Sequence, residues 1–304
     1  MENSILRLFP SDSRALWQSV AKEQACIQEI RLRTGKPVII HRKEREIFLT
    51  DQGEFSGNPA RAHLTTDREL SRMLEHICHY SPYAFAEELR QGFITVAGGH
   101  RVGVAGQAVM EADGRVRTFK NISYVNIRVS HQVKGAADTV LPDMYRDGEL
   151  RSALIISPPG CGKTTLLRDL IRQISDGNAY GPGMSVGVVD ERSELAGSFQ
   201  GKAQNDMGMR TDVLDGCPKE IGMLLLLRAM SPRVIAIDEL GSEGELRALG
   251  QAAACGCRIL ATVHGEDRRD VEQRFGREAA FWERLFDLFL VLGKHSRGCA
   301  PERL

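Results

Sequence analysis

The chain has no surplus of charge: 40 lysines and arginines balance 40 aspartates and glutamates. No global field therefore draws it to nucleic acid or to an anionic membrane, although local patches remain allowed. Long apolar runs are missing as well. Stretches such as Met223 to Leu227 are far below the roughly 20 residues that cross a bilayer. Glu2 stands early and no long apolar segment follows it, which argues against a secretory signal. The expectation is a cytoplasmic protein that reaches a membrane only through partners. The 7 cysteines (26, 78, 161, 217, 255, 257 and 299) form no CxxC pair and no metal-ligand spacing. Such scattered thiols suit a reducing compartment. Cys255-Gly-Cys257 is too tight for a zinc pair and is expected to pack as small apolar residues. There is no internal repeat, no low-complexity tract and no aromatic-basic stripe of the kind that holds single-stranded nucleic acid.

What is present begins with Ala153-Leu154-Ile155-Ile156, a short apolar run that stops at Ser157-Pro158-Pro159-Gly160-Cys161-Gly162-Lys163-Thr164-Thr165. A buried strand, a glycine-containing turn, Lys-Thr and a helix, in that order, make a phosphate-binding P-loop. Gly160 and Gly162 let backbone N–H groups turn inward, and the helix N-terminus adds its positive dipole end. Lys163 can reach the β- and γ-phosphates of a nucleotide, and the Thr164 hydroxyl can ligate Mg²⁺. Ser157 replaces the usual first glycine; it is small, and Pro158-Pro159 already sets the turn.

Further acidic stations follow apolar strands. Val234-Ile235-Ala236-Ile237 runs into Asp238-Glu239, which puts carboxylates at the carboxyl end of a buried strand, where open α/β sheets bind ligands. Asp238 would hold Mg²⁺, directly or through water, and Glu239 could polarise the attacking water. Val188-Val189-Asp190-Glu191-Arg192-Ser193-Glu194-Leu195 offers Glu191 and Glu194 as competitors for the role of base, or else a solvated ion-pair surface. Leu260-Ala261-Thr262-Val263-His264-Gly265 ends a strand on a histidine that, in this company, can sense a phosphate. A lone histidine there would otherwise be structural.

The chain divides into a smaller α+β domain, residues 1 to 130, and an α/β domain, residues 131 to 304. In the first, Ser11 to Glu29 reads as a helix with Leu16, Val20 and Ile27 on one face, and strands flank the Gly35-Lys36-Pro37 turn. A helix follows from Thr66 to Cys78, with another at Ser81 to Glu88. Gly92 to Val109 forms a hairpin or meander, and Val125 to Ser130 a closing strand. A helical stretch, Ala136 to Met144, leads into the second domain. There strands at Ala153–Ile156, Ser185–Val189, Val234–Ile237, Arg258–Val263 and Leu288–Val291 alternate with helices at Thr164–Ser175, Ile221–Met230, Glu243–Ala254 and Val271–Arg277. That alternation predicts a parallel sheet. Asp176 to Gly183 reads as an exposed loop.

The P-loop, acidic box, Asp238-Glu239 strand and histidine box, in this order, resemble the secretion-ATPase superfamily of type II and type IV systems and pilus motors. Glu29-Ile30-Arg31-Leu32-Arg33 with Gly35-Lys36-Pro37 is similar to the start of that superfamily's N-terminal domain. The P-loop with its following Leu166-Leu167-Arg168-Asp169, the acidic box, and Arg210 to Lys219 narrow the resemblance to its sporulation branch. The resemblance implies a RecA-like C-terminal domain that hydrolyses ATP with Mg²⁺. It also implies a homo-oligomeric ring of six subunits, working on membrane-embedded channel components from the mother-cell side. Arg101 or Arg128 would then be candidates for an arginine supplied to a neighbouring active site. The tetracysteine zinc motif of some relatives is absent, so no metal beyond Mg²⁺ is implied. Two other classes stay open, a nucleic-acid-associated P-loop ATPase and a nucleotide-gated scaffold, and no base-reading motif separates ATP from GTP.

Overall fold

A computed structural model describes residues 3–43, 45–78, 85–90, 92–277, 279–293 and 301–303. The chain forms two compact units, Met1–His131 and Gln132–Leu304.

In the first unit the strands are β1 (Ile27–Arg33), β2 (Ile39–Arg42), β3 (Arg45–Leu49), β4 (Phe55–Ser56), β5 (Phe93–Thr95), β6 (Arg101–Met110) and β7 (Val116–Arg128). They make a seven-stranded sheet in the order β4-β3-β2-β1-β7-β6-β5, antiparallel at every pairing. The expected helix over Ser11 to Glu29 is not there. A 3₁₀ turn at Arg14–Trp17, a short helix α1 (Gln18–Lys22) and a second 3₁₀ turn precede β1. Ile27 begins β1, where it is buried with Ile30 across a register irregularity in the β1–β2 pairing, so it belongs to the strand and not to a helical face with Leu16 and Val20. Helix α2 (Asp67–Ile77) has its reciprocal cap on Thr66 and Glu69 and buries Leu70, Met73 and Ile77. Of the helix expected at Ser81 to Glu88, residues 81–84 lie outside the described residues; a short helix α3 spans Ala86–Arg90.

The second unit is an α/β RecA-like domain. Its main elements are β8 (Ala153–Ser157), α4 (Lys163–Asp176), β9 (Val186–Asp190), β10 (Thr211–Asp215), α5 (Lys219–Met230), β11 (Val234–Ile237), α6 (Glu243–Ala254), β12 (Arg258–His264), α7 (Arg268–Phe275), α8 (Ala279–Leu285), β13 (Leu288–Leu292) and β14 (Pro301–Arg303). The sheet order is β10-β9-β11-β12-β8-β13-β14. All pairs are parallel except β13–β14. Alternate residues of each strand feed two cores. Ala153, Ile155, Val188 and Ala236 pack with Leu167, Leu170, Ile171 and Ile174 of α4. Leu154, Ile156, Ile235 and Val263 pack with Met223 of α5, Leu249 of α6 and Trp282 of α8. Helices thus cover both faces, which is why the strands read as unbroken apolar runs.

Other expectations are corrected here. Ala136 to Met144 forms turns and a 3₁₀ segment, Leu141–Met144, because Pro142 has no N–H to give and the Ala137 N–H is taken by Asp169 at 3.0 Å. Asp176 to Gly183 is not a bare loop but carries a small hairpin, Gly177–Asn178 against Gly181–Pro182. β10 escaped notice because an edge strand with only two apolar residues, Val213 and Leu214, set between Asp212 and Asp215 carries little pattern. Cys257 is buried, donating to the Pro232 carbonyl at 3.0 Å, whereas Cys255 is exposed; Cys299 lies outside the described residues. Among the described residues no helix is long and apolar enough to cross a membrane.

Candidate nucleotide site

Sheet order brings the stations together. β8 pairs with β12, setting Ser157 beside His264. β12 pairs with β11, and β11 with β9, setting Val189 beside Ile237. The P-loop, His264, Asp238-Glu239 and the acidic box therefore leave the sheet at one edge, where parallel strands end and the following helices begin.

The P-loop turns through Gly160 at φ +78° and Gly162 at φ +85°, left-handed conformations that glycine adopts without strain. A Cβ at either position would meet nothing within 4 Å, so the backbone presents an open concavity. Gly162 is the N-cap of the 14-residue helix α4. Ser157 is fully buried and its hydroxyl donates to the Pro158 carbonyl at 2.8 Å. Pro158 and Cys161 are buried, Pro159, Gly160 and Gly162 exposed, and Thr164 and Thr165 half-buried.

Lys163 is buried with its side chain 6% exposed, and its Nζ lies 3.7 Å from Glu239 Oε1. His264 sits between them. Its Nε2 lies 3.1 Å from Glu239 Oε1, and Nζ of Lys163 lies 3.2 and 3.3 Å from the two ring nitrogens. An Nε2–H donated to Glu239 leaves Nδ1 to accept from the ammonium. The Thr164 hydroxyl donates to Asp238 Oδ2 at 2.7 Å. Asp238 Oδ1 accepts from the Thr262 hydroxyl and from the Glu239 N–H at 3.1 Å. Glu239 holds a left-handed backbone, φ +55°, unusual for a residue with a side chain and a mark of built-in strain. Burial tends to raise the Glu239 carboxyl. The His264 hydrogen bond and the charges of Lys163 and Arg192 outweigh that and hold it below the ordinary range.

The acidic box folds around Asp190, which is buried and accepts N–H bonds from Glu194 at 2.8 Å, Leu195 at 3.2 Å and Ala196 at 2.8 Å. Burial raises its carboxyl despite those bonds, and Asp215 adds to the rise. Arg168 braces the same loop, donating to the carbonyls of Leu195 and Glu194, both at 2.6 Å; burial pulls the Arg168 guanidinium down. Glu191, Arg192, Glu194, Lys219, Asp238 and Glu239 line one shallow cavity. Glu239 is in contact with both Lys163 and His264. Glu191 faces Lys219 at 3.6 Å. The sequence reading missed Lys219, Thr262 and Arg168. Their one local signal was Lys219 itself, a cation in the first turn of a helix, where the dipole disfavours it.

Arg101 and Arg128 lie on the other unit, directly opposite one another on β6 and β7. Arg101 stacks on Phe93 at 4.0 Å, and Arg128 is 3.5 Å from Glu29 with its side chain 66% exposed.

The fold is similar to that of solved ATPases. DotB of Legionella pneumophila superposes with a TM-score of 0.58 at 17% identity, over 92% of this chain and 75% of that one. The pilus retraction motor PilT, solved with bound ADP, does so with 0.59 at 16%, over 91% and 77%. The sequence comparisons are more particular. The family described as "Sporulation stage III, protein AA" matches residues 1–301. Stage III sporulation protein AA of Bacillus subtilis (strain 168) is 36% identical over 293 residues, 96% of this chain and 91% of that protein. The chain belongs to the stage III sporulation protein AA family. A partial relative, SEEDLING PLASTID DEVELOPMENT 1 of Arabidopsis thaliana, is 31% identical over 148 residues, 45% of this chain and 19% of its own length.

Proposed function

We propose that the chain is an ATPase whose hydrolysis does mechanical work on a membrane-embedded, secretion-type channel during sporulation, from the mother-cell side. The observation that carries this is the convergence of Lys163, Thr164, Asp238, Glu239 and His264 at one sheet edge around an open P-loop. Gly160, Gly162 and Lys163 fit a polyphosphate: unobstructed backbone turns, a helix N-terminus and a buried ammonium. The Thr164 hydroxyl and Asp238 Oδ2, meeting at 2.7 Å, are hard oxygen donors that suit Mg²⁺, which would neutralise phosphate charge when bound. Glu239, kept ionised by its cationic neighbours, is placed to orient a water and accept its proton, while His264 links it to Lys163 and can register the terminal phosphate. Glu191 and Glu194 take the lesser part, because it is Glu239 that touches both Lys163 and His264. The working form is a ring, six-fold by family likeness, which supplies an arginine from one subunit to the next; Arg101 and Arg128 are the candidates.

The test is Mg²⁺-dependent phosphate release from ATP and from GTP by the purified chain, with light scattering in the presence and absence of a non-hydrolysable ATP analogue. Turnover with nucleotide-promoted assembly is expected. Tight nucleotide binding with no phosphate release would instead identify a nucleotide-gated scaffold.

A further inference from the structure

We infer that Lys219 is a positioning residue that holds Glu239 in its working conformation, an inference that rests on the ATPase reading above. Lys219 opens α5 and its side chain is 10% exposed. Its Nζ donates to the carbonyl of Asp238 at 3.2 Å and to that of Glu239 at 2.6 Å. These carbonyls belong to the two peptide groups flanking the Glu239 α-carbon. A single ammonium therefore grips both sides of the one residue of this turn that adopts the left-handed region, φ +55°. Such a conformation persists only where its surroundings over-determine it, and the grip is one half of that determination. The other half is the Glu239 N–H, held by the Thr262 hydroxyl at 2.8 Å.

The lysine is itself fixed. Glu245 Oε1 lies 3.3 Å and Glu191 Oε2 3.6 Å from Nζ, so the buried cation is compensated. Glu245 uses its second oxygen to accept from the N–H groups of Gly241 at 2.7 Å and Ser242 at 3.3 Å, the residues that carry the turn into α6. The starts of α5 and α6 pack so closely that a Cβ on Gly244 would lie 1.8 Å from Glu220 Oε2. Lys219 thus joins the acidic box, the Asp238-Glu239 turn and the cap of α6 at one nitrogen. Removing it frees the turn to relax out of the left-handed region, which would swing the Glu239 carboxylate away from His264 and Lys163.

The experiment compares Lys219→Met and Lys219→Arg in the full chain, alone and combined with Glu239→Gln. Misplacing a reacting group by about 1 Å can cost about 10²-fold. Lys219→Met is therefore expected to lower kcat by about that factor with little change in nucleotide KM, and Lys219→Arg, which still offers forked donors to the carbonyls, to recover much of the loss. In the Glu239→Gln background the same substitution is expected to cost nothing further, because it acts through Glu239. An equal loss in both backgrounds, or a rise in KM with kcat intact, overturns the proposal. Hydrogen exchange over residues 237–241 gives a reading independent of turnover: exchange should accelerate in Lys219→Met and stay at the wild-type rate in Glu239→Gln. If wild type hydrolyses no nucleotide, the ATPase reading fails, and this exchange comparison still decides whether Lys219 pins the turn; an unchanged rate overturns it. Should Lys219→Met not fold, Lys219→Gln, which keeps one amide donor, carries the same comparison.

Discussion

The two units bury ionisable groups by opposite means. In the first unit His100 is fully buried; its Nδ1 accepts the Ser130 N–H at 3.0 Å and its Nε2–H donates to the Ser4 hydroxyl at 2.8 Å. Burial above all, with His131 nearby, pushes it down to about 4, so the antiparallel unit keeps its buried histidine neutral. The second unit keeps charge inside by pairing it: Lys163 with Glu239, and Lys219 with Glu191 and Glu245. An antiparallel sheet closes through local hairpins and has no common end. A parallel sheet sends every strand to one edge and starts its helices there, so charged side chains from distant segments can offset one another. The candidate nucleotide site, with its buried charges, lies in that second unit.

The largest effect should follow from breaking that pairing at its centre. Lys163→Ala is expected to abolish nucleotide binding with circular dichroism unchanged, because the phosphates lose their buried cation; retained turnover in a folded variant would remove the P-loop from the site. The first unit's contribution is tested by mixing two inactive proteins, Lys163→Ala and Arg128→Ala, then Lys163→Ala and Arg101→Ala. An arginine supplied in trans is worth about 10³–10⁵ in rate, and mixed assemblies should regain part of it; exchange of subunits without recovery excludes the arginine tested. Next, Glu239→Gln should bind nucleotide as wild type does and lose about 10²–10⁴-fold in turnover. Glu191→Gln and Glu194→Gln should fall far less, and the reverse ranking would transfer the base to the acidic box.

The smallest effect concerns stability in the first unit. His100 has a folded value near 4 against an ordinary 6.5. The unfolded chain thus takes up a proton as pH falls from 6.5 towards 4 while the folded chain does not. Stability is complete above 6.5 and declines through that window, by about 3 kcal/mol for one histidine. Urea titrations at pH 7 and pH 4.5 should show this decline reduced in His100→Gln; an identical decline in the variant would mean that other groups set it.

The P-loop strand, the Asp238-Glu239 strand and the His264 strand were legible in the sequence because a strand buried on both faces must be apolar throughout and must stop where a charge appears. The strand expected at Val234–Ile237 and the helix at Glu243–Ala254 coincide with β11 and α6, the latter opened by a reciprocal Ser242–Glu245 cap written in adjacent residues. Local chemistry of this kind acts over a few residues and leaves a pattern. The bulge at Ile27, the edge strand β10 and the turns at Ala136 to Met144 left none, or a misleading one, because partners elsewhere in the chain decided them. The same holds at the site. Sequence alone determined that a glycine-containing Lys-Thr loop, two acidic strand ends and a terminal histidine existed. Only the tertiary structure brought Lys163 and His264 to Glu239, and only it brought Lys219 from the start of α5 to the two carbonyls beside that glutamate. Those are contacts between strands and helices far apart in the chain, and a sequence pattern records what each segment must bury, not which neighbour will meet it there.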